Sequence, residues 1–337
     1  MKRKIIIILV ALFVIRGAYA EEPRKSAFYK ELNYIGGYSY RDRWVARKEK
    51  AQTNSVGFEY FRKFSNDYGD FLTLDLQARL AYDYFDYYKD AWSVEIHNAY
   101  LEYKPWMGHN IRVGHFDPAY GMEPVVDTHG TLFQTLMVKD LGFKKDWAVG
   151  YRGSIGWFDC QVAGGLGSGM SIDRRDGSYL VTARIGSPQG KDLQGGLSLL
   201  YGQVLVPKQM RTLPRAKYEN GTVRKKRIGL DGQYLLGPAL FKGEWSIGDN
   251  KGTPVMGFLM EIDYTVPFCQ KLELKVQNQF FANDLENGDT IDDNLGVGLS
   301  YKLTQNLSVR VAYFQDLHTE ERDNDSQVFL QIYFFGL

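Results

Sequence analysis

Polar side chains that could contact a solute recur at every second position of this sequence. In residues 71–83 the even-numbered positions hold leucine, alanine or tyrosine, whereas the odd-numbered ones include Asp75, Gln77 and Arg79. An extended strand sends alternate side chains to opposite faces. A strand with this pattern therefore has one apolar face and one face that needs water, and its charged groups can meet solutes in that water.

Motifs that would indicate an enzyme or a metal site are weak. The sequence has no Gly-x-Ser-x-Gly elbow, and its five histidines lack the spacing of metal ligands. His97, flanked by Glu95 and Asn98, is the nearest match to a catalytic constellation. We therefore predict no enzymatic activity, no catalytic residues, no metal and no cofactor, and keep a barrel hydrolase as a minor alternative.

The same alternation recurs along the chain in segments of roughly ten residues, the length of a tilted strand that crosses a membrane. Mean hydropathy is −0.34 and aromatic residues make up 15 % of the chain, which argues against membrane helices and fits aromatic girdles. The sequence therefore predicts an all-β fold, a transmembrane antiparallel β-barrel of about sixteen strands. The predicted strands are 30–41, 54–64, 71–83, 92–104, 109–117, 146–155, 157–165, 177–186, 192–203, 224–236, 238–248, 254–265, 269–283, 292–303, 306–317 and 325–336. A change of phase near Asn98 predicts a β-bulge.

The first twenty residues have the pattern of a cleaved secretory signal peptide. Basic residues at 2–4 precede an apolar run at 5–15, and Ala18-Tyr19-Ala20 supplies the small residues of a cleavage site. We expect cleavage before Glu21. Residues 21–337 would then form a single outer-membrane barrel domain.

The connections between the predicted strands alternate in length. Those after even-numbered strands are short, and those after odd-numbered strands are mostly longer and more charged. Outer-membrane barrels have short periplasmic turns and long external loops, so an even strand count places both termini in the periplasm of a bacterial outer membrane. The last strand agrees, because its alternating Tyr333, Phe335 and Leu337 resemble the terminal signature of outer-membrane proteins.

One connection, residues 118–145, is far longer than the others. A loop of this length is uncommon unless it is functional or disordered, and its apolar content argues against disorder. We predict that it folds into the lumen, with a possible short helix, and narrows the pore. Its apolar anchors are Leu132, Phe133, Leu136, Met137, Val138, Leu141 and Phe143.

The residues that lead into this connection carry a resemblance to a known family. The stretch Arg112-Val-Gly-His-Phe-Asp-Pro-Ala-Tyr-Gly-Met-Glu123 resembles the motif of the porin O/P family, the phosphate-selective porins. The resemblance implies a diffusion channel of sixteen strands, often trimeric, in which this segment runs into the constricting loop. Phosphate channels of that family carry rows of lumen arginines, whereas the predicted lumen here carries both signs of charge. Such a wall produces no strong single-sign field.

These observations predict an outer-membrane porin for passive diffusion of small hydrophilic or anionic solutes, phosphate among them. The alternative is a barrel receptor or adhesin that binds a partner through outer loops such as 204–223. The expected partners are outer-membrane lipid, lipopolysaccharide, small polar solutes and further copies in a homotrimer. We predict no nucleic-acid partner, because the basic run Arg224–Arg227 would lie at the external mouth and contact lipopolysaccharide or funnel solutes. The predicted pore residues are Asp117, Tyr120, Glu123, Asp127, His129 and Lys139 in the loop, Arg112 and Arg152 on the adjoining wall, and Arg79, Arg184 and Arg310 elsewhere in the lumen.

Overall fold

The computed structural model describes residues 25–40, 54–82, 92–172, 174, 176–207, 218–286, 291–318 and 326–337. The predicted signal peptide lies outside these residues, as do residues 208–217 of the connection 204–223 that the receptor alternative invokes. In the part of the chain that is described, no helix is long and apolar enough to cross a membrane.

Sixteen antiparallel strands form one closed barrel. They are β1 (Ser26–Ser39), β2 (Asn54–Asn66), β3 (Gly69–Tyr82), β4 (Trp92–Trp106), β5 (His109–Phe116), β6 (Asp146–Ile155), β7 (Phe158–Gly165), β8 (Tyr179–Gly186), β9 (Leu193–Pro207), β10 (Tyr218–Leu236), β11 (Ala239–Asn250), β12 (Thr253–Thr265), β13 (Leu272–Ala282), β14 (Ile291–Lys302), β15 (Leu307–His318) and β16 (Ser326–Gly336). A short helix, α1 (Met137–Leu141), lies between β5 and β6.

The barrel closes because the first and last strands pair. Lys30 of β1 lies opposite Gly336 of β16, and the pairing continues to Ser39 and Gln327. Every strand thus has a hydrogen-bonded neighbour on both sides, which is the condition for β-structure in lipid. With an even number of strands, the start of β1 and the end of β16 lie at the same end of the barrel, the end that carries the short turns.

The predicted strand count and order are confirmed, and most strand ends agree closely with the prediction. The predicted bulge is also confirmed, since Gln77 pairs with Asn98 and Ala78 pairs with Ile96, which leaves His97 as the extra residue. The largest difference is at the connection predicted for 204–223. There β9 continues to Pro207 and β10 begins at Tyr218, and the two strands stay paired beyond the predicted ends, with a register shift between Tyr218 and Thr222.

The strand faces follow the sequence pattern. On β3, Leu80 is 47 % exposed on the outside, whereas Asp75 is 4 % exposed on the inside. On β15, the exposed Val311 and Tyr313 point outward, and they alternate with Ala312 and Phe314, which are buried and point inward. In an empty lumen, the inward side chains would be exposed to water. They are buried here because a segment of the chain fills much of the interior.

Candidate functional site: the inserted loop and the lumen

Residues 117–145, here called the inserted loop, leave the wall after β5 and return to it at β6. Near the end of β5, Gly114 has a φ of 134°, in the region that favours glycine, and its missing side chain makes room for the backbone of Ala99. Gly121, with φ of 58°, lets the loop backbone approach Glu244 of β11. Of the two motif glycines, Gly114 therefore allows close packing of β5 on β4, and Gly121 allows the loop to approach β11.

The inserted loop crosses the lumen from one wall to the opposite wall. One buried apolar cluster joins it to Leu180, Leu200 and Val204 of β8 and β9, through Tyr120, Met137, Leu141 and Phe143. A second cluster joins Leu132 and Phe133 to the inner face of β1, β15 and β16. Because β8 and β9 are half the barrel away from β1 and β16, the loop bridges the interior instead of lining one side.

Residues 132–141, here called the anchor segment, are held by a buried charge network. Arg227 Nε of β10 donates to Asp140 Oδ1 at 3.0 Å, and the Ser246 and Tyr120 hydroxyls donate to the same carboxylate at 2.9 and 3.2 Å. Both side chains of the Arg227–Asp140 pair have no exposed area. Lys225 Nζ donates to the carbonyl groups of Asp140 and Leu141, the last residues of α1. The end of the helix is therefore fixed to β10.

Glu244 of β11 is a second fixed point under the loop. Its carboxylate accepts hydrogen bonds from the backbone N–H groups of Met122 at 3.1 Å and Leu136 at 2.9 Å. On β8 and β9, the Thr182 and Ser198 hydroxyls accept hydrogen bonds from the N–H groups of Ala119 and Gly121. Side chains of the wall thus satisfy buried loop N–H groups that no regular ladder reaches.

Residues 124–129, here called the tip segment, contact the far wall through one histidine. His129 Nδ1 lies 2.9 Å from the Tyr333 hydroxyl, and its Nε2 lies 3.4 Å from Glu31 and also contacts Gln77. The next residue, Gly130, presents a carbonyl group that accepts hydrogen bonds from Arg310 and Gln331. Unlike the anchor segment, the tip segment is half-buried, and Asp127 is exposed.

Two cavities lie on either side of the tip segment. The first has a volume of about 450 Å³ and is lined by β2–β4, β6 and the loop. It extends from Glu95, toward the end of the barrel opposite the short turns, to Gln189 in the turn between β8 and β9. The second, of about 410 Å³, lies between the loop and β11–β15. Residues 126–129 line both cavities. The tip segment therefore stands between two solvent-sized spaces of the lumen.

Charges of opposite sign are paired around the first cavity. Arg79 pairs with Glu31 at 2.6 Å, Lys145 with Asp117 at 2.6 Å, and Lys144 with Glu123 at 3.3 Å. Burial alone would raise the pKa of Asp117, but the neighbouring Lys145 ammonium outweighs it and holds that pKa below its ordinary value. Five acidic and four basic residues line this cavity, so its net charge is close to neutral.

The second cavity has a comparable balance. Lys242 and Lys275 each contact Glu261 and Asp263 at 2.7–3.0 Å, forming a square of alternating charges on β11–β13. Four acidic and four basic residues line this cavity in all. The lumen described here therefore lacks a surplus of one sign at its two main cavities.

Most of the predicted pore residues lie at these cavities. Asp117, Glu123, Asp127 and His129 line the first one together with Arg79 and Arg152, and Arg310 lines the second. Arg112 lines a small adjoining cavity, where its guanidinium stacks over Tyr100 at 4.2 Å and bonds Glu102 at 2.6 Å.

Three predicted pore residues have a different environment from the one expected. Tyr120 is 1 % exposed and donates its hydroxyl to Asp140, so it belongs to the buried contacts of the loop and not to a polar lining. Arg184 is 5 % exposed and forms a two-point pair with Asp231 at 2.5 and 3.0 Å. Lys139 pairs with Asp292 of β14 and lines neither main cavity.

The structure adds residues that sequence reasoning missed. Asp140, Arg227 and Glu244 hold the loop, and none of the three was among the predicted pore residues. The run Arg224–Arg227 was predicted to contact lipopolysaccharide or to funnel solutes, but Lys225 and Arg227 are buried and bind the inserted loop. The alternation of β10 could have predicted this, because Lys225 and Arg227 lie two residues apart and therefore share one face of the strand. Among the described residues, no group of three or more His, Cys, Asp or Glu side chains could hold a metal ion.

Comparisons with known proteins agree on the fold. No protein-family model matches the sequence, and no curated protein matches it. Among solved structures, the anion-selective porin from Comamonas acidovorans is similar at 11 % identity and a TM-score of 0.65, over 92 % of this chain and 99 % of that chain. The outer-membrane channel DcaP of Acinetobacter baumannii is similar at 11 % identity and a TM-score of 0.59, over 95 % and 100 % of the two chains. A trimer form of the outer-membrane protein OmpT of Vibrio cholerae is similar at 14 % identity and a TM-score of 0.62, over 92 % and 98 %. The chain therefore has the fold of an outer-membrane porin.

Proposed function

We propose that the chain is a passive diffusion channel of a bacterial outer membrane and that the inserted loop sets the narrowest part of the channel. The observation that carries this proposal is the course of the loop. It is fixed to both walls of a closed barrel, yet its half-buried tip segment stands beside a cavity that extends from near the external end to a turn at the other end.

The charge arrangement supports small hydrophilic solutes as the substrate class. Paired charges of both signs offer hydrogen bonds to polar solutes without a strong field for one ion. The resemblance to the porin O/P family adds anions, phosphate among them, to the solutes that we propose pass through. A dedicated phosphate site has less support, because Arg79, Arg112 and Arg184 are each already paired with a carboxylate.

The barrel would lie in the outer membrane with both termini periplasmic, and residues 1–20 would be the cleaved signal peptide. A homotrimer is the proposed assembly, supported by the porin fold and by the trimer form of one similar structure. We propose no enzymatic activity. His97 and Glu95 are 3.1 Å apart at the bulge, and both line the first cavity, which fits a role in the channel wall.

Single-channel recording in planar lipid bilayers tests this function. The wild-type protein should give steps of conductance that are linear in voltage, with a reversal potential close to zero in a potassium chloride gradient. Deletion of residues 122–140 should raise the conductance severalfold. As a control, a deletion within residues 208–217, between β9 and β10, should leave the conductance nearly unchanged. A folded wild-type barrel that produces no conductance steps would contradict the proposal.

Selectivity for phosphate can be measured in the same assay. Addition of millimolar phosphate should leave the chloride current nearly unchanged, as expected of a channel without a dedicated anion site. A strong block of the chloride current by phosphate would instead favour the phosphate-selective channel that the sequence motif implies.

A further inference from the structure

The basic run Arg224–Arg227 is divided between the two faces of β10. Lys225 and Arg227 point inward and bind the inserted loop. Arg224 and Lys226 point outward and are exposed, and the Lys226 side chain keeps 51 % of its area. The outward pair therefore has no part in holding the loop.

The outward face of β10 changes from apolar to cationic toward the external end. Ile228, Leu230, Tyr234 and Leu236 are all exposed on this face. Eight steps of about 3.3 Å along a strand tilted by about 40° give roughly 20 Å of height, close to the lipid-facing band of about 25 Å. Arg224 and Lys226 follow directly, at the level of the lipid headgroups on the external side.

Aromatic side chains next to this pair mark the same level. Tyr201 of β9 lies opposite Lys226 in the register and is 46 % exposed. Its ring centroid is 5.9 Å from that of Tyr179 on β8. Tyrosines of this kind form the girdles at the interface between hydrocarbon and headgroups.

The neighbouring turn adds a third cation and one carboxylate. The exposed Lys251 lies in the turn between β11 and β12, and its N–H donates to the Arg224 carbonyl at 2.8 Å. Asp249 lies opposite Lys226, but its carboxylate accepts the Gly252 N–H at 3.0 Å and is 4.0 Å from Lys226 Nζ. The patch therefore keeps a surplus of positive charge.

We propose that Arg224 and Lys226, with Lys251 beside them, bind the phosphate groups of a phosphorylated glycolipid of the outer leaflet. The guanidinium offers two parallel N–H donors to a phosphate, and the two ammonium groups add charge from either side. The acyl chains of the same lipid would lie on Ile228 and Leu230. This inference rests on the outer-membrane location proposed above, and it is independent of whether the barrel conducts.

The test is the binding of diphosphoryl lipid A to the folded protein in detergent, followed by native mass spectrometry. The variant R224Q/K226Q should bind at least about tenfold more weakly, since each basic residue at a lipid surface adds appreciable attraction. The matched control is K30Q/R62Q, which removes the same charge from exposed outward positions at the opposite end of the barrel. The control should bind as the wild type does.

Two further measurements need no substitution. Dephosphorylated lipid A should bind the wild-type protein about as weakly as diphosphoryl lipid A binds the double variant, and millimolar inorganic phosphate should not displace the lipid. Equal binding of both lipids to the wild type, unchanged binding by R224Q/K226Q, or an equal loss in the control would overturn the proposal. So would displacement by free phosphate, which would indicate a site for the ion alone. Conductance of the same samples reports separately on the proposed channel function.

Discussion

The anchor segment and the tip segment belong to one loop but meet the barrel in different ways. The anchor segment is almost wholly buried, and its Asp140 is held in a dry network with side chains of β10 and β11. The tip segment is half-buried between two cavities and touches the far wall mainly through His129. The difference indicates a division of labour, in which buried contacts fix the position of the loop and exposed groups meet the solute.

The largest expected effect follows from breaking the buried pair in the anchor segment. Arg227→Ala leaves Asp140 buried without its cation, which should destabilise the loop by about 3–5 kcal/mol. Limited proteolysis and hydrogen exchange of residues 132–141 should both rise, and single-channel currents should become noisy. The double variant R227A/D140A should recover part of this loss. An R227A protein with a protected loop and quiet currents would show that the anchor lies elsewhere.

An effect of similar or smaller size is expected from the apolar part of the same segment. Leu136 has no exposed area, so Leu136→Ala should cost about 2–5 kcal/mol of loop stability through the cavity it leaves. The control is Leu72→Ala, which removes the same atoms from the outer face of β3. Hydrogen exchange of the loop should change in the first variant only. Equal changes in both would mean that the loop and the wall unfold together.

A substitution in the tip segment should affect conductance more than loop stability. His129→Ala removes hydrogen bonds of a side chain that is 22 % exposed to buried partners such as Tyr333 and Gln77. Water from the adjoining cavities can take the place of the imidazole, so the stability cost should stay near about 1 kcal/mol. Conductance should nevertheless change, because the side chain lies between the two cavities. If H129A lowers loop stability as much as L136A does, the distinction between the two segments fails.

The smallest expected effect is a decrease in loop stability at acidic pH, caused by the Asp117–Lys145 pair where the loop leaves and rejoins the wall. The pKa of Asp117 is lowered, since Lys145 outweighs the effect of burial. The pair therefore contributes stability above the ordinary carboxyl pKa, and this contribution is lost as the pH falls through the lowered value. Loop protection should hold from neutral pH to about pH 4 and decline below it. The variant D117N should lose this part of the acid response, and an unchanged profile would argue against the pair.

Much of the barrel could be predicted because a strand in lipid has little freedom. Residues 71–83 must alternate, and each chain reversal needs polar or turn-forming residues, so strand order and facing follow from the sequence. Even the bulge at His97 could be predicted, because the alternation of apolar and polar residues changes phase near Asn98. The apolar residues of the loop also predicted its inward course, because Leu136 and Met137 have no buried surface to occupy outside the barrel.

The site could be predicted only in part, because the partners of each charge depend on distances across the lumen. Tyr120 and Asp117 are close in sequence, yet one is buried beside Asp140 and the other borders a cavity. Glu123 looked like a free lining charge but accepts hydrogen bonds from Thr128 and Thr135. Sequence alone does not report which wall residue lies opposite a loop that spans the interior.

The central claim is that the tip segment sets the narrowest part of a conducting channel. The most direct test replaces Asp127 by cysteine in a background where Cys160 and Cys269 are serine, and then adds a bulky charged thiol reagent during single-channel recording. Asp127→Cys should lose most of its current on modification, whereas Arg224→Cys, outside the lumen, should lose almost none. A modified D127C channel with unchanged current would contradict the claim and place the constriction elsewhere.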